Sequence, residues 1–139
     1  MTSLNPYLSF RDNARDAMEF YQSVFGGELT VSTFADFPGQ NDDASEDHLV
    51  MHSQLTTPDG LVLMGSDTPS RMGFEEPAGF SVSVSGDDEA ELERYWNGLV
   101  AGGTVVVPFE VPPWGGRFGM LTDRFGVDWM VALNEADQP

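Results

Sequence analysis

Between residues 5 and 10, Pro6, Leu8 and Phe10 alternate with Asn5, Tyr7 and Ser9. A period of two predicts a strand with one apolar and one polar-to-amphipathic face. The period then lengthens. Ala14, Ala17, Met18, Tyr21, Val24 and Phe25 recur at helical spacing behind Asn13, a good cap. Gly26-Gly27 stops that helix, because glycine accepts left-handed backbone. Leu29 to Phe34 predicts a second strand and residues 35–47 a polar loop. His48 to Leu55 alternates again, with His48, Val50, His52 and Gln54 on one face and Leu49, Met51 and Leu55 on the other. Pro58-Asp59-Gly60 is a turn, and Leu61 to Met64 closes the pattern as a buried strand.

The same order then recurs, and internal repetition decides the fold. Phe80, Val82 and Val84 alternate with Gly79, Ser81 and Ser83. Asp87 or Asp88 caps a helix whose stripe is Leu92, Tyr95, Trp96, Leu99 and Val100. Gly102-Gly103 ends it, Gly102 following Gly26 by 76 residues. Thr104 to Val107, Phe118 to Thr122 and Val127 to Leu133 complete the strands, with a break at Pro112-Pro113 and a turn at Arg124-Phe125-Gly126. Residues 66–77, rich in Pro, Gly and Ser, read as a linker. The expectation is a single α+β domain over residues 1–139, built of two βαβββ modules at about 1–67 and 78–134. Each helix must bury its stripe on one face of its sheet. Asn5, Tyr7, Ser9, His52, Gln54, Ser81 and Ser83 then fall on the opposite faces, lining a shared cleft where two such sheets curve toward each other. A register slip of one residue would invert that assignment.

Composition narrows the function. With 139 residues, 40% hydrophobic content and ten Phe, the chain can bury a real core. No apolar run is long enough to span a bilayer, and no basic-then-apolar leader opens the chain, so the expected location is cytoplasmic. The absence of cysteine removes disulfides, thiolate metal sites and thiol nucleophiles. A formal charge of −17, with six Arg and no Lys, argues against nucleic-acid and anionic-membrane partners. Five acids fall between Asp36 and Asp47, without the spacing that wraps a calcium ion, and read as a solvated loop. No Ser sits in a Gly-x-Ser-x-Gly turn, and Asp123 before Arg124-Phe125-Gly126 reads as a turn-setting residue.

Several segments carry a resemblance: Asn5-Pro6-Tyr7-Leu8-Ser9-Phe10, Ala17 with Phe20-Tyr21, Phe25-Gly26-Gly27, Met51-His52, Met64-Gly65-Ser66-Asp67, Trp114 to Gly119, and Thr122 to Met130. In this order the chain resembles the vicinal oxygen chelate superfamily of glyoxalase I, extradiol dioxygenases and bleomycin-resistance proteins, in its PhnB-like branch. The resemblance implies a curved-sheet cleft between modules, usually holding a metal, and a homodimer. Members of the branch have been labelled ubiquinone-pathway methyltransferases. No glycine-rich strand–turn–helix pattern for a nucleotide-like methyl donor is present. Carried over, the four metal-ligand positions fall at Asn5 or Pro6, Met64 or Leu63, Gly79 or Phe80, and Met130 or Trp129. None is an imidazole or carboxylate, so no family metal site and no cofactor is expected, a divalent metal at another site remaining the alternative.

His48 and His52, the two histidines, stand four apart on a presumed strand, about 13 Å along it, too far to share one ion. His52 is the one candidate general acid or base. Tyr7, Gln54, Ser81, Trp114, Phe118 and Trp129 join it as candidate ligand contacts, and Arg117 as an anchor for an anionic group. The expected function is small-molecule binding in the cleft. The alternative is a metal-dependent or His52-based lyase, isomerase or dioxygenase.

Overall fold

A computed structural model describes residues 2–39 and 43–134. The chain divides into two compact units, Met1–Pro77 and Ala78–Pro139. The middle of the acidic loop, residues 40–42, lies outside the described residues.

The first unit runs β1 (Tyr7–Phe10), α1 (Ala14–Phe25), β2 (Glu28–Thr33), β3 (Val50–Thr56) and β4 (Val62–Asp67). Its four strands lie in the order β1-β4-β3-β2, with β1 parallel to β4 and the other pairs antiparallel. The second unit runs β5 (Val82–Gly86), α2 (Glu89–Val100), β6 (Thr104–Glu110), β7 (Arg117–Thr122) and β8 (Asp128–Leu133). Its order, β5-β8-β7-β6, repeats the first. The fold is α+β with two βαβββ modules, as the alternation predicts.

Each helix covers one face of its own sheet. Ala14, Ala17, Met18 and Tyr21 of α1 are buried over Leu8, Phe10, Leu55 and Leu63. A Cβ on Gly65 would stand 3.1 Å from the Met18 sulfur, which fixes the face that the helix covers. In the second unit Leu92, Tyr95, Trp96 and Leu99 are buried with Leu121, Trp129 and Val131. Trp96 stacks on Phe109, ring centroids 5.4 Å apart.

The paired glycines have a reason in packing. A Cβ on Gly27 would stand 2.3 Å from the Thr56 carbonyl oxygen, and one on Gly103 2.3 Å from that of Thr122. In both units the chain leaving the helix presses on the end of the third strand, where only a hydrogen fits. The following turns also correspond. Thr57 accepts the Leu61 amide on its hydroxyl, and Asp123 accepts the Val127 amide on its carboxylate. Asp123 takes the Phe125 amide and the Trp129 indole as well, and so sets the turn.

Helix capping differs between the units. Asp88 caps α2 by accepting the Glu91 amide. Asn13 makes no side-chain cap bond. The α1 terminus is met instead by Asp67 at the end of β4, which accepts the Ala14 amide on Oδ1 and the Val50 amide on Oδ2, both at 2.9 Å.

Two strand expectations need correction. β3 begins at Val50, and the register shifts between Ser32 and Thr33, Ser32 pairing with His52 and Thr33 with Val50. The bulge turns Val50 to the helix-covered side, where it is buried, and leaves His48 exposed ahead of the strand. In the second unit β5 begins at Val82, so Phe80 precedes the strand and is half exposed.

Candidate functional site

Pairing register shows which side chains meet on the face of the first sheet away from α1. Tyr7 is level with Met64, Met64 with Gln54, and Gln54 with Thr30. Ser9 is level with Ser66, and His52 with Ser32. This face carries hydroxyls, one amide, one imidazole, one phenol, one thioether, the Val62 isopropyl and, at its edge, the Glu28 carboxylate.

Its central contact joins strands that are not neighbours. The Tyr7 hydroxyl lies 3.1 Å from His52 Nδ1, with the rings 5.7 Å apart and tilted by 31°. β4 lies between β1 and β3 in the sheet, so the pair reaches across a strand. The contact fixes the imidazole and leaves Nε2 for another partner. Gln54 donates to Thr56 Oγ1 at 3.1 Å. Tyr7 is 48% exposed, enough to offer its ring to a ligand.

The second sheet is less polar on its corresponding face. Ser83 is level with Met130 and Met130 with Met120, while Phe118 is level with Ala132. The exposed Trp114 packs edge-on to Phe118, centroids 6.4 Å apart. Ser81 precedes β5 and is half-buried.

Two predicted contacts stand elsewhere. Trp129 is 2% exposed and pairs with Val82 and Leu121 in the core, its indole bonded to Asp123. It follows the register opposite to Met130, which removes it from the ligand-facing set. Arg117 also points to the helix side. Nε and Nη2 donate to the Phe109 carbonyl at 3.3 and 3.1 Å, the guanidinium lies 4.1 Å over the Phe109 ring, and Nη1 is 3.8 Å from Glu93 on α2. Those bonds occupy the guanidinium that was expected to anchor an anion.

The residues level with Met64 and Met130 on the first strand of each unit are Tyr7 and Ser83. A phenol and a thioether in one unit, and a hydroxyl and a thioether in the other, do not fit a divalent cation that needs imidazole or carboxylate. Among the described residues no three His, Asp or Glu side chains gather where they could hold an ion. A separate cavity of about 350 Å³ opens in the first unit beside Arg11, Asp12, Glu46, Thr68 and Ser70. Glu46 is engaged there with the Ser70 hydroxyl and amide, and no predicted site residue lines it.

Sequence reasoning missed Thr30, Ser32 and Ser66 as members of the His52 face. Alternation within β2 and β4 held the signal, but only register places those strands beside β3.

Known proteins share this fold. Protein PA1353 of Pseudomonas aeruginosa is 37% identical, with a TM-score of 0.86 over 96% of this chain and 98% of its own. A PhnB protein from Bacillus cereus, described as a putative 3-demethylubiquinone-9 3-methyltransferase, is 24% identical, with a TM-score of 0.75 over 96% of this chain and 100% of its own. A glyoxylase/bleomycin resistance protein/dioxygenase domain from Frankia is 18% identical, with a TM-score of 0.66 over 97% and 99%. The last two similarities are of fold. The model of the family described as 3-demethylubiquinone-9 3-methyltransferase matches residues 2–132, and the chain belongs to that PhnB-like family with the glyoxalase/bleomycin-resistance fold.

Proposed function

We propose that this protein binds a small organic molecule on the sheet faces away from its helices, without the metal site of its metal-using relatives. The observation that carries the reading is the Tyr7–His52 contact across β4, which presents a ring, a hydroxyl and the second imidazole nitrogen together. Gln54 extends the set in the first unit, and Ser81, Phe118 and Trp114 are the candidate contacts of the second unit taken by itself. We further propose that it acts as a cytoplasmic homodimer.

The family's description names methyl transfer. The strand-to-helix turns here are Arg11-Asp12-Asn13 and Asp87-Asp88, with carboxylates and no glycine in either. They do not fit the cradle of a nucleotide-like methyl donor. A second reading, general acid–base chemistry by His52, is favoured by the same hydrogen bond, since Tyr7 fixes the imidazole.

A thermal-shift screen on the wild type and His52→Ala tests the binding reading. A true ligand stabilises the wild type, and the variant loses about 1–2 kcal/mol of that stabilisation. Equal stabilisation of both proteins would remove His52 from the site. Mass analysis of the recovered ligand separates binding from turnover. Stoichiometric zinc, nickel, iron or manganese in protein purified without a chelating column would overturn the metal-free claim.

A further inference from the structure

The charge around the Tyr7–His52 pair bears on what it can bind, and the inference rests on the binding reading above. The sequence has six Arg and no Lys, and the structure describes every Arg. Arg15 and Arg94 are exposed on the helices. Arg117 and Arg124 donate to the backbone carbonyls of Phe109 and Ala101. Arg11 follows β1 at the rim of the separate cavity, and Arg71 lies in the short 3-10 turn Ser70–Met72. None lies within the four strands on the face that carries Tyr7 and His52; Arg11, in phase with Ser9, stands just past the end of β1. Apart from the imidazole, the only ionisable group of formal charge that the four strands place there is the carboxylate of Glu28, exposed at the start of β2 in phase with Thr30 and Ser32. The remaining groups are neutral: hydroxyls, an amide, a phenol, a thioether and the Val62 isopropyl.

An anionic ligand at the Tyr7–His52 pair would therefore meet no countercharge from the strands, the bordering Arg11 standing beside Asp12 and Glu46 at the cavity, while a chain of net charge −17 surrounds it with repulsive potential. Carboxylate and phosphate recognition ordinarily rests on arginine forks or helix N-termini. The α1 terminus lies on the other side of the sheet and is closed by Asp67. The half-exposed Tyr7 ring suits a flat aromatic body or a cation above its face. His52 Nε2 and Gln54 supply hydrogen bonds to an uncharged polar group. We infer that this face takes a ligand with no anionic group: an uncharged or protonated aromatic compound.

The test is an NMR titration of the whole chain with three probes sharing one ring: benzylamine, benzyl alcohol and benzoate. The first two should shift the His52 and Tyr7 ring resonances at similar concentrations, and benzoate should need at least about tenfold more. Higher salt should narrow the gap between benzylamine and benzoate, because screening weakens the field. Thr30→Arg places a cation in the row of Gln54 and should raise benzoate affinity several-fold; Ser32→Arg serves where that variant does not fold. Benzoate binding the wild type as tightly as benzylamine, or gaining nothing from either arginine, overturns the inference while leaving the binding site in place. No shift at His52 or Tyr7 with any probe removes the site itself, and the proposed function with it.

Discussion

Single side chains do much of the structural work here. Asp123 illustrates it: one buried carboxylate accepts the Phe125 and Val127 amides and the Trp129 indole. Removing an acceptor leaves buried donors unsatisfied, so Asp123→Ala should cost on the order of 3 kcal/mol in urea unfolding. Asp123→Asn, which keeps one carbonyl oxygen, should cost about half of that. Sequence alone showed Asp123 as a turn residue because Arg124-Phe125-Gly126 follows it. It did not show the indole bond, which depends on Trp129 facing inward. Trp129 and Met130 are adjacent, and adjacent strand residues face opposite ways. Nothing local decides which faces in; pairing with Val82 and Leu121 does. The same limit applies to Arg117, whose alternation matches Gly119 and Leu121 and takes it to the helix side.

At the scale of elements, the Gly-Gly stops were legible, and their necessity comes from packing as well as from backbone freedom. Gly27→Ala and Gly103→Ala should each destabilise by about 2–3 kcal/mol, since the new methyl meets a fixed carbonyl at 2.3 Å. Gly126→Ala is the control: its φ is +85° with open space around it, so strain alone applies, about 1 kcal/mol. Denaturant midpoints on the three variants check the order. Gly103 has no positive φ, so the carbonyl contact alone acts there, and a loss at Gly103 no larger than at Gly126 would show that this contact does not set the cost. The β-bulge at Ser32/Thr33 was not legible. Strict alternation places Val50 with His52, and one inserted residue reverses that. The bulge lets Val50 bury its side chain and give its amide to Asp67, while His52 stays beside Tyr7.

Across the whole molecule, 23 acids against six Arg leave a large self-repulsion. Salt should stabilise the fold: as the Debye length falls from about 30 Å at 0.01 M to about 3 Å at 1 M, the melting temperature should rise by several degrees. A fall would show that specific ion pairs outweigh the net charge. Size-exclusion chromatography with light scattering tests the proposed homodimer, and a 15.2 kDa species would refute it. The duplicated fold was readable because each helix and strand repeats in order, yet the copies are fastened differently. Asp88 caps α2 from within its own turn, whereas α1 is capped by Asp67, a strand residue that also holds the start of β3. Amide exchange with deuterated solvent should reveal the consequence. The Ala14 and Val50 amides, 36 positions apart, share one acceptor and should lose protection together, at the rate of the sheet. The Glu91 amide should exchange earlier, by fraying of a single helical turn.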